Sequence, residues 1–330
     1  MLAEPMPFPP RTPAGFTPLL DEPCYDPRRH LALEKPSSVT RLSELGYEAA
    51  EIRACPSDLA ITAPFRLMSD EGVAAVAEIA RRLEAGAVHG RRVAKMVRGG
   101  VYRSRFLRHF ARCPIVADFL SSVLGAPIGP HTMPLQLAHL NFTPEDLSKP
   151  VDKWHHDTVG PDYVMMVTDP GRISGGEFQW FRGTKADAAA FAAAGNPLPD
   201  ERIVSPKFPG AGWAVFQQGN MVVHRGAKLH APGERITMVN AYVPLDIGLP
   251  DPCRFSDLRR IDPPHVLYPD WARHKAWLAR GRLDRLIAEL PYNDDRPAII
   301  AALKEAAAEL EAAIVDIADT SEPNFLHYGG

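Results

Sequence analysis

The stretch Gly212-Trp213-Ala214-Val215-Phe216-Gln217-Gln218-Gly219-Asn220-Met221-Val222-Val223-His224 decides how this chain is read. Residues 212–216 read as a strand, 217–220 as a turn, and 221–224 as the returning strand, so that His224 ends an apolar run. The same texture continues on both sides. Between about 133 and 245, short apolar runs at 135–142, 163–167, 178–181, 213–216, 221–224 and 235–243 are divided by Gly, Pro, Asp and Asn. That spacing predicts a mainly β core, a sandwich or barrel. One alanine-rich helix, 185–194, interrupts it and stops at Gly195.

The flanks read differently. Residues 1–65 are expected to be mostly extended, since Pro5, Pro7, Pro9, Pro10 and Pro13 prevent regular structure early, in a segment that either wraps the core or is partly disordered. Residues 66–130 form helical support: Ser69-Asp70-Glu71 opens a helix with Val73, Val76, Ala80 and Leu83 at helical spacing, and a second runs from Pro114 to Leu124 before Gly125. Residues 131–248 hold the β core, and 249–330 form a C-terminal helical extension. We read the whole, 1–330, as a single domain. The C-terminal helices either cover the core or pair with a second subunit to make a homodimer.

Composition narrows the function classes. With 37 basic and 40 acidic residues, the net charge is -3, which argues against general nucleic-acid binding. No apolar run is long enough to span a bilayer. The first residues lack a basic n-region and an apolar h-region, so a cytoplasmic location is expected. Cys24, Cys55, Cys113 and Cys253 form no CxxC pair and read as reduced and structural.

The chemistry is carried by Trp154-His155-His156-Asp157. On a strand, residues two apart share a face, so His155 and Asp157 point together and His156 points away. Alone, the pair is equally a surface turn, because His-x-Asp arises readily by chance. His224 supplies a second imidazole, and two His with one carboxylate leave three positions of a metal open. His230, in the loop Leu229-His230-Ala231-Pro232, is the competing histidine. Arg235 and Thr237 share a strand face, and a guanidinium fork beside a hydroxyl suits the grip of a carboxylate.

Residues 133–245 resemble the phytanoyl-CoA dioxygenase-like branch of the Fe(II)/2-oxoglutarate oxygenases. The matching pieces are Asn141-Phe142-Thr143-Pro144, Trp154-His155-His156-Asp157, Gly175-Gly176-Glu177, Arg182-Gly183-Thr184, His224-Arg225-Gly226 and Arg235-Ile236-Thr237. The resemblance implies a double-stranded β-helix, a jelly-roll or cupin-like barrel, with N-terminal and C-terminal helical additions. It implies Fe(II) on His155, Asp157 and His224, and 2-oxoglutarate held at its far carboxylate by Arg235 with help from Thr237 and Asn141. It implies a dioxygenase that consumes O2 and hydroxylates a small molecule, releasing succinate and CO2. The presence of Asp157 argues for oxygen transfer or desaturation rather than halogenation.

Other readings stay open on the sequence. A cupin-like Zn hydrolase or a co-substrate-free dioxygenase would use the same metal residues without needing Arg235, and a non-catalytic metal-binding barrel would keep the site without turnover. Arg91, Arg92, Lys95, Arg98, Arg103, Arg105, Arg108 and Arg112 lie in an interval free of acidic residues. They read either as a solvated basic face or as the source of one or two contacts to an anionic substrate.

Overall fold

A strand covered on both faces has no polar side to show, and the central segments of this chain are apolar at nearly every position. The computed structural model, which describes residues 2–321 and 328, gives the reason. The first five strands are β1 (Val39–Arg41), β2 (Leu59–Thr62), β3 (Phe65–Arg66), β4 (Met96–Val97) and β5 (Ile128–Pro130). Next come β6 (His139–Asn141), β7 (Asp152–His155), β8 (Pro161–Met166) and β9 (Phe178–Phe181). The last are β10 (Ile203–Val204), β11 (Trp213–Gln218), β12 (His224–Gly226) and β13 (Thr237–Pro244).

They form two antiparallel sheets. The larger runs β1-β2-β11-β8-β13-β6-β4, with β3 added beside β11 and β5 beside β13; the smaller runs β10-β9-β12-β7. From β6 onward the chain passes back and forth between them. Strands β6, β8, β11 and β13 lie in the larger sheet, and β7, β9, β10 and β12 in the smaller.

Alternation along each strand of the larger sheet separates two cores. Tyr163, Met165, Phe216, Met238 and Leu140 face outward, against Val76, Ile79 and Leu83 of the helix Asp70–Glu84 and against Phe106, Phe110 and Leu120. Val164, Met166, Val215 and Val239 face inward, toward Phe178 and Trp180 of the smaller sheet. The helix Asp70–Glu84 starts where the sequence predicts, with the Ser69 side chain accepting from the Gly72 N–H. The helix Pro114–Leu124 ends on Gly125 in the left-handed region.

Three expectations need correction. Residues 221–223 are not a strand, and β12 does not return along β11. The Met221 and Val222 N–H groups both donate to Gln218 O, which closes a turn that carries the chain across to the smaller sheet. The strand before it extends through Gln217 and Gln218. Within 135–142 only His139–Asn141 is a strand, because Pro134 opens a 3₁₀ turn over Pro134–Gln136. Finally, 1–65 is extended only in part: it forms three short helices, Pro27–His30, Leu42–Leu45 and Ala49–Arg53, and gives β1 and β2 to the edge of the larger sheet. Its proline-rich start does wrap the core, where Phe8 lies beneath Arg108 at 4.4 Å.

The C-terminal helices Pro264–Glu289 and Arg296–Ala318 pack against each other, tied by Lys275 to Glu309 at 2.7 Å and Arg282 to Glu309 at 2.6 Å. The first half of the pair covers the core through Val266, Leu267, Trp271 and Leu278. The second half leaves Ile287, Ile314 and Val315 exposed. Among the described residues no helix is long and apolar enough to cross a membrane.

Gly212 sits where β11 enters the sheet, at φ +81, and an added Cβ would stand 2.7 Å from Met68 O. Its carbonyl accepts from both Leu67 and Met68 N–H groups, so the backbone there has little room to give. Gly212→Ala should therefore destabilise the protein by about 1–3 kcal/mol, read as a lowered Tm with an unchanged far-UV spectrum.

Candidate metal centre

Strands β7 and β12 are neighbours, and their register sets His155 directly opposite His224. The two rings lie 4.3 Å apart between centroids. His155 Nδ1 is 2.7 Å from Lys153 O, and His224 Nδ1 is 3.0 Å from Val222 O. A carbonyl only accepts, so each Nδ1 carries the proton and each Nε2 presents its lone pair. Both Nε2 atoms face Asp157, at 3.3 Å to Oδ1 from His155 and 3.4 Å to Oδ2 from His224. One donor atom from each residue fits within 4.8 Å of the others.

Asp157 reaches this position by another route than the strand alternation expected from the sequence. Strand β7 ends at His155. Asp157 lies beyond it, where its N–H donates to Gly219 O at 2.7 Å. His156 turns away, as expected, to the Tyr328 hydroxyl at 2.6 Å. His230 is exposed on its loop, which leaves His224 as the second histidine.

Burial, and then the neighbouring His155, lower His224 to about 4, so its ring is neutral at physiological pH. Burial alone would raise Asp157, but His224, His155 and Arg92 together hold it well below the usual carboxylate range. The result is two imidazoles and one carboxylate, a donor set suited to a first-row divalent metal with positions left open. Asp162, on the inner face of β8, behaves oppositely. Burial and the Asp157 charge push it well above the carboxylate range. It accepts from Gln217 Nε2 at 3.1 Å, and the same amide nitrogen is 3.4 Å from His224 Nε2.

The residues expected to hold a co-substrate line the same cavity as the three donors. Thr237 on β13 pairs with Asn141 on β6 and also with Met166 on β8. Arg235, just before β13, is only 3% exposed. Its Nε donates to Gly176 O at 2.6 Å and its Nη1 to Thr237 Oγ1 at 3.4 Å. Burial lowers its guanidinium to about 10, which leaves it a cation at neutral pH, and no carboxylate among the described residues forms an ion pair with it. Asn141 Oδ1 and His139 Nε2 are also buried there without a hydrogen-bond partner.

Sequence reading missed Asp162, Gln217 and His139, although each shares an inner face with a residue it did select. It read Arg92 only as one of a basic stretch. That stretch is neither a solvated face nor a single site: Arg98 pairs with buried Asp262, Lys95 with Glu84 at 2.8 Å, Arg112 donates to Met6 O at 2.8 Å, and Arg92 reaches the metal cavity. A second group, Asp251, Cys253 and His274, also has donor atoms within 4.8 Å. There Asp251 Oδ2 already takes Lys275 Nζ at 2.6 Å and His274 Nε2 at 3.0 Å. Burial and then Asp251 hold the Cys253 thiol well above its ordinary range. This group is a hydrogen-bonded knot between loop and helix.

Two outcomes follow from this geometry. A Cβ on Gly219 would lie 2.0 Å from Asp162 Oδ2 and 2.5 Å from Asp157 Oδ2. Gly219→Ala should therefore cost at least about tenfold in metal affinity by displacing one donor, measured by titration with Co(II). The buried neutral histidines also set an acid limit. His224, lowered to about 4, and His156, lowered to about 3 by burial and then Arg254, bind protons more readily unfolded than folded. Their contribution is complete above about 6.5 and is lost as pH falls below it, by up to about 1.4 kcal/mol per pH unit for each group. Denaturant midpoints of the metal-free protein between pH 7 and 5 should fall accordingly.

No protein-family model matches the chain, and no curated protein matches it in sequence. Among solved structures, it is similar to the non-heme alpha ketoglutarate dependent epimerase SnoN from nogalamycin biosynthesis, at 19% identity over 64% of this chain and 90% of that one, TM-score 0.41. The carbocyclase SnoK from the same biosynthesis shares 16% identity over 62% of this chain and 87% of its own, TM-score 0.40. EctD from S. alaskensis, solved with 2-oxoglutarate and 5-hydroxyectoine, shares 16% over 74% and 88%, TM-score 0.40. With scores this low, the functional reading rests on the site itself.

Proposed function

We propose that the protein is a non-haem Fe(II)- and 2-oxoglutarate-dependent oxygenase that hydroxylates a small molecule. In this reading β6 to β13, divided four and four between the two sheets, are the eight strands of a double-stranded β-helix. The observation that carries the proposal is Arg235. A buried cation without a direct ion pair is costly; Arg235 feels Asp152 and Glu177 only without such contact among the described residues, and it shares a cavity with a His-Asp-His donor set. A dicarboxylic co-substrate supplies what both need: a carboxylate for Arg235 and a chelating end for the metal. A Zn hydrolase or a co-substrate-free enzyme would leave Arg235 without that partner.

Each residue then has a task. His155 and His224 offer Nε2 atoms whose direction is fixed by their Nδ1–H bonds to Lys153 O and Val222 O. Asp157 offers a carboxylate oxygen. The protonated Asp162, supported by Gln217, holds that carboxylate from behind. Arg235 and Thr237 fix the far carboxylate of 2-oxoglutarate, and Asn141 turns its amide toward the same molecule. Val164, Phe178 and Val239 line the cavity and exclude water. When bound, iron and 2-oxoglutarate supply O2 activation coupled to loss of CO2 and formation of succinate.

The test is an anaerobic titration with Fe(II) and then 2-oxoglutarate, followed by the visible charge-transfer absorption. His224→Ala should lose the iron. Arg235→Ala should keep it and weaken 2-oxoglutarate by roughly 10–100-fold, the range for hydrogen bonds to a charged group. Stoichiometric iron with no response to 2-oxoglutarate in the unaltered protein would sink the proposal.

A further inference from the structure

The cavity that holds the three donors continues past them. Arg92 stands at its edge, with Nη1 3.5 Å from Asp157 Oδ1 and Nε 3.5 Å from Asp152 Oδ1. The same side chain lines an inner cavity together with His139, His156 and Arg254. It also lines an outer cleft of about 850 Å³. Arg92 is the one described residue common to all three spaces. It therefore stands at the throat between the donor set and the outside.

Its bonding is incomplete. Both ion pairs are longer than a normal charge-assisted hydrogen bond of about 2.7–2.9 Å, and among the described residues Arg92 makes no hydrogen bond shorter than these contacts. A guanidinium has five N–H donors in a planar fork, and this side chain is only 17% exposed, so water reaches it poorly. The walls beyond it are of two kinds. Ile261 and Tyr268 give the outer cleft some apolar surface, and beside them stand Arg259, Arg260 and exposed Arg91. Among the described residues Asp319 is the one acid that lines the cleft, and it lies 3.7 Å from Arg259. A space whose described lining is dominated by cations, with the apolar surface of Ile261 and Tyr268 beside them, fits an organic anion whose carbon body lies against those two residues.

We propose that the substrate is an organic acid, a carboxylate or phosphate monoester, whose acid group is held by Arg92 and whose apolar body lies in the outer cleft. The word substrate rests on the oxygenase reading above; the binding of the anion does not. If Arg92 serves only to balance Asp152 and Asp157, no such preference exists.

Hexanoate, hexyl phosphate and hexanamide separate these cases, with binding read by saturation-transfer NMR. The protein is loaded with Zn(II) as an inert metal, with and without saturating 2-oxoglutarate. We expect at least one acid to bind about tenfold or more tightly than the amide, and the stronger of the two acids identifies the class. Arg92→Gln should bring it to the level of the amide, and Arg92→Lys, which keeps a point charge, should restore part of the preference. Equal binding of acids and amide, no binding of either acid, a preference that survives Arg92→Gln, or displacement of 2-oxoglutarate by the acid would each overturn the proposal. The resonances of 2-oxoglutarate report its own binding separately. Failure there, with the Arg92-dependent preference intact, would remove the oxygenase reading and leave the anion site standing.

Discussion

Register governs this molecule. The larger sheet is covered on both faces, so a polar side chain on its inner face has no solvent to turn to, and its partners must come from the space between the sheets. Asn141 and His139 on β6, Asp162 on β8, Gln217 on β11 and Thr237 on β13 all occupy inner-face positions of their strands. The pairings that bring them together are Thr237 with Asn141 and Met166, and Gln217 with Asp162. A slip of one residue in any of these strands would turn the polar groups into the outer core and put Tyr163 or Phe216 into the cavity. The same rule operates in the smaller sheet, where His224 opposite His155 leaves no freedom in how the two rings meet.

Electrostatics adds a second layer to that geometry. The cavity keeps charge of one sign at Asp157, charge of the other sign at Arg235 and Arg92, and neutral groups between them. Desolvation divides two carboxyl groups by function: Asp157 stays ionised because imidazoles and Arg92 face it, while Asp162, behind it, is held protonated. Two like charges that close would repel, so the proton on Asp162 is what allows a second carboxyl to support the first. Arg235 is favoured as a cation by Asp152 and Glu177 but makes no direct ion pair among the described residues. Its nearest contacts are a backbone carbonyl and a hydroxyl, both neutral, and an arriving carboxylate would complete it.

Much of this was legible in the chain. The structure groups His224, His155 and Asp157, which residue type and order select, and puts Arg235 and Thr237, which the period of two selects, in the same cavity, although Arg235 precedes β13 rather than lying on it. The reasoning for Asp157 was nonetheless incorrect in detail, because it sits past the end of β7 and is held by Gly219 O. The expected returning strand at 221–223 differs for another reason: a short apolar run looks the same whether it pairs or turns, and here the Met221 and Val222 N–H groups bond back to Gln218 O within the turn itself. Asp162 and Gln217 carry no local signal, since an acid and an amide inside apolar runs suggest strand edges. Arg92 has no place in a local reading, because its meaning depends on Asp152 and Asp157, sixty and more positions away.

The division between strand-borne and loop-borne donors has a structural consequence. The two histidines are fixed by paired strands, and the carboxylate is fixed by a loop whose anchors lie elsewhere. Asp157 depends on Gly219 from the turn after β11 and on Arg254, whose Nη2 lies 3.4 Å from Asp157 O. Thr158 and Arg254 are joined twice, through Thr158 Oγ1 to Arg254 O at 3.2 Å and Arg254 N to Thr158 Oγ1 at 2.7 Å. Arg254 in turn pairs with Asp257 at 2.6 Å, at the start of the C-terminal helical region. That region also supplies Ile261 and Tyr268 to the outer cleft. The segment that shapes the approach to the site is therefore bonded to the loop that carries the carboxylate of the candidate donor set, whereas the two histidines are held by paired strands.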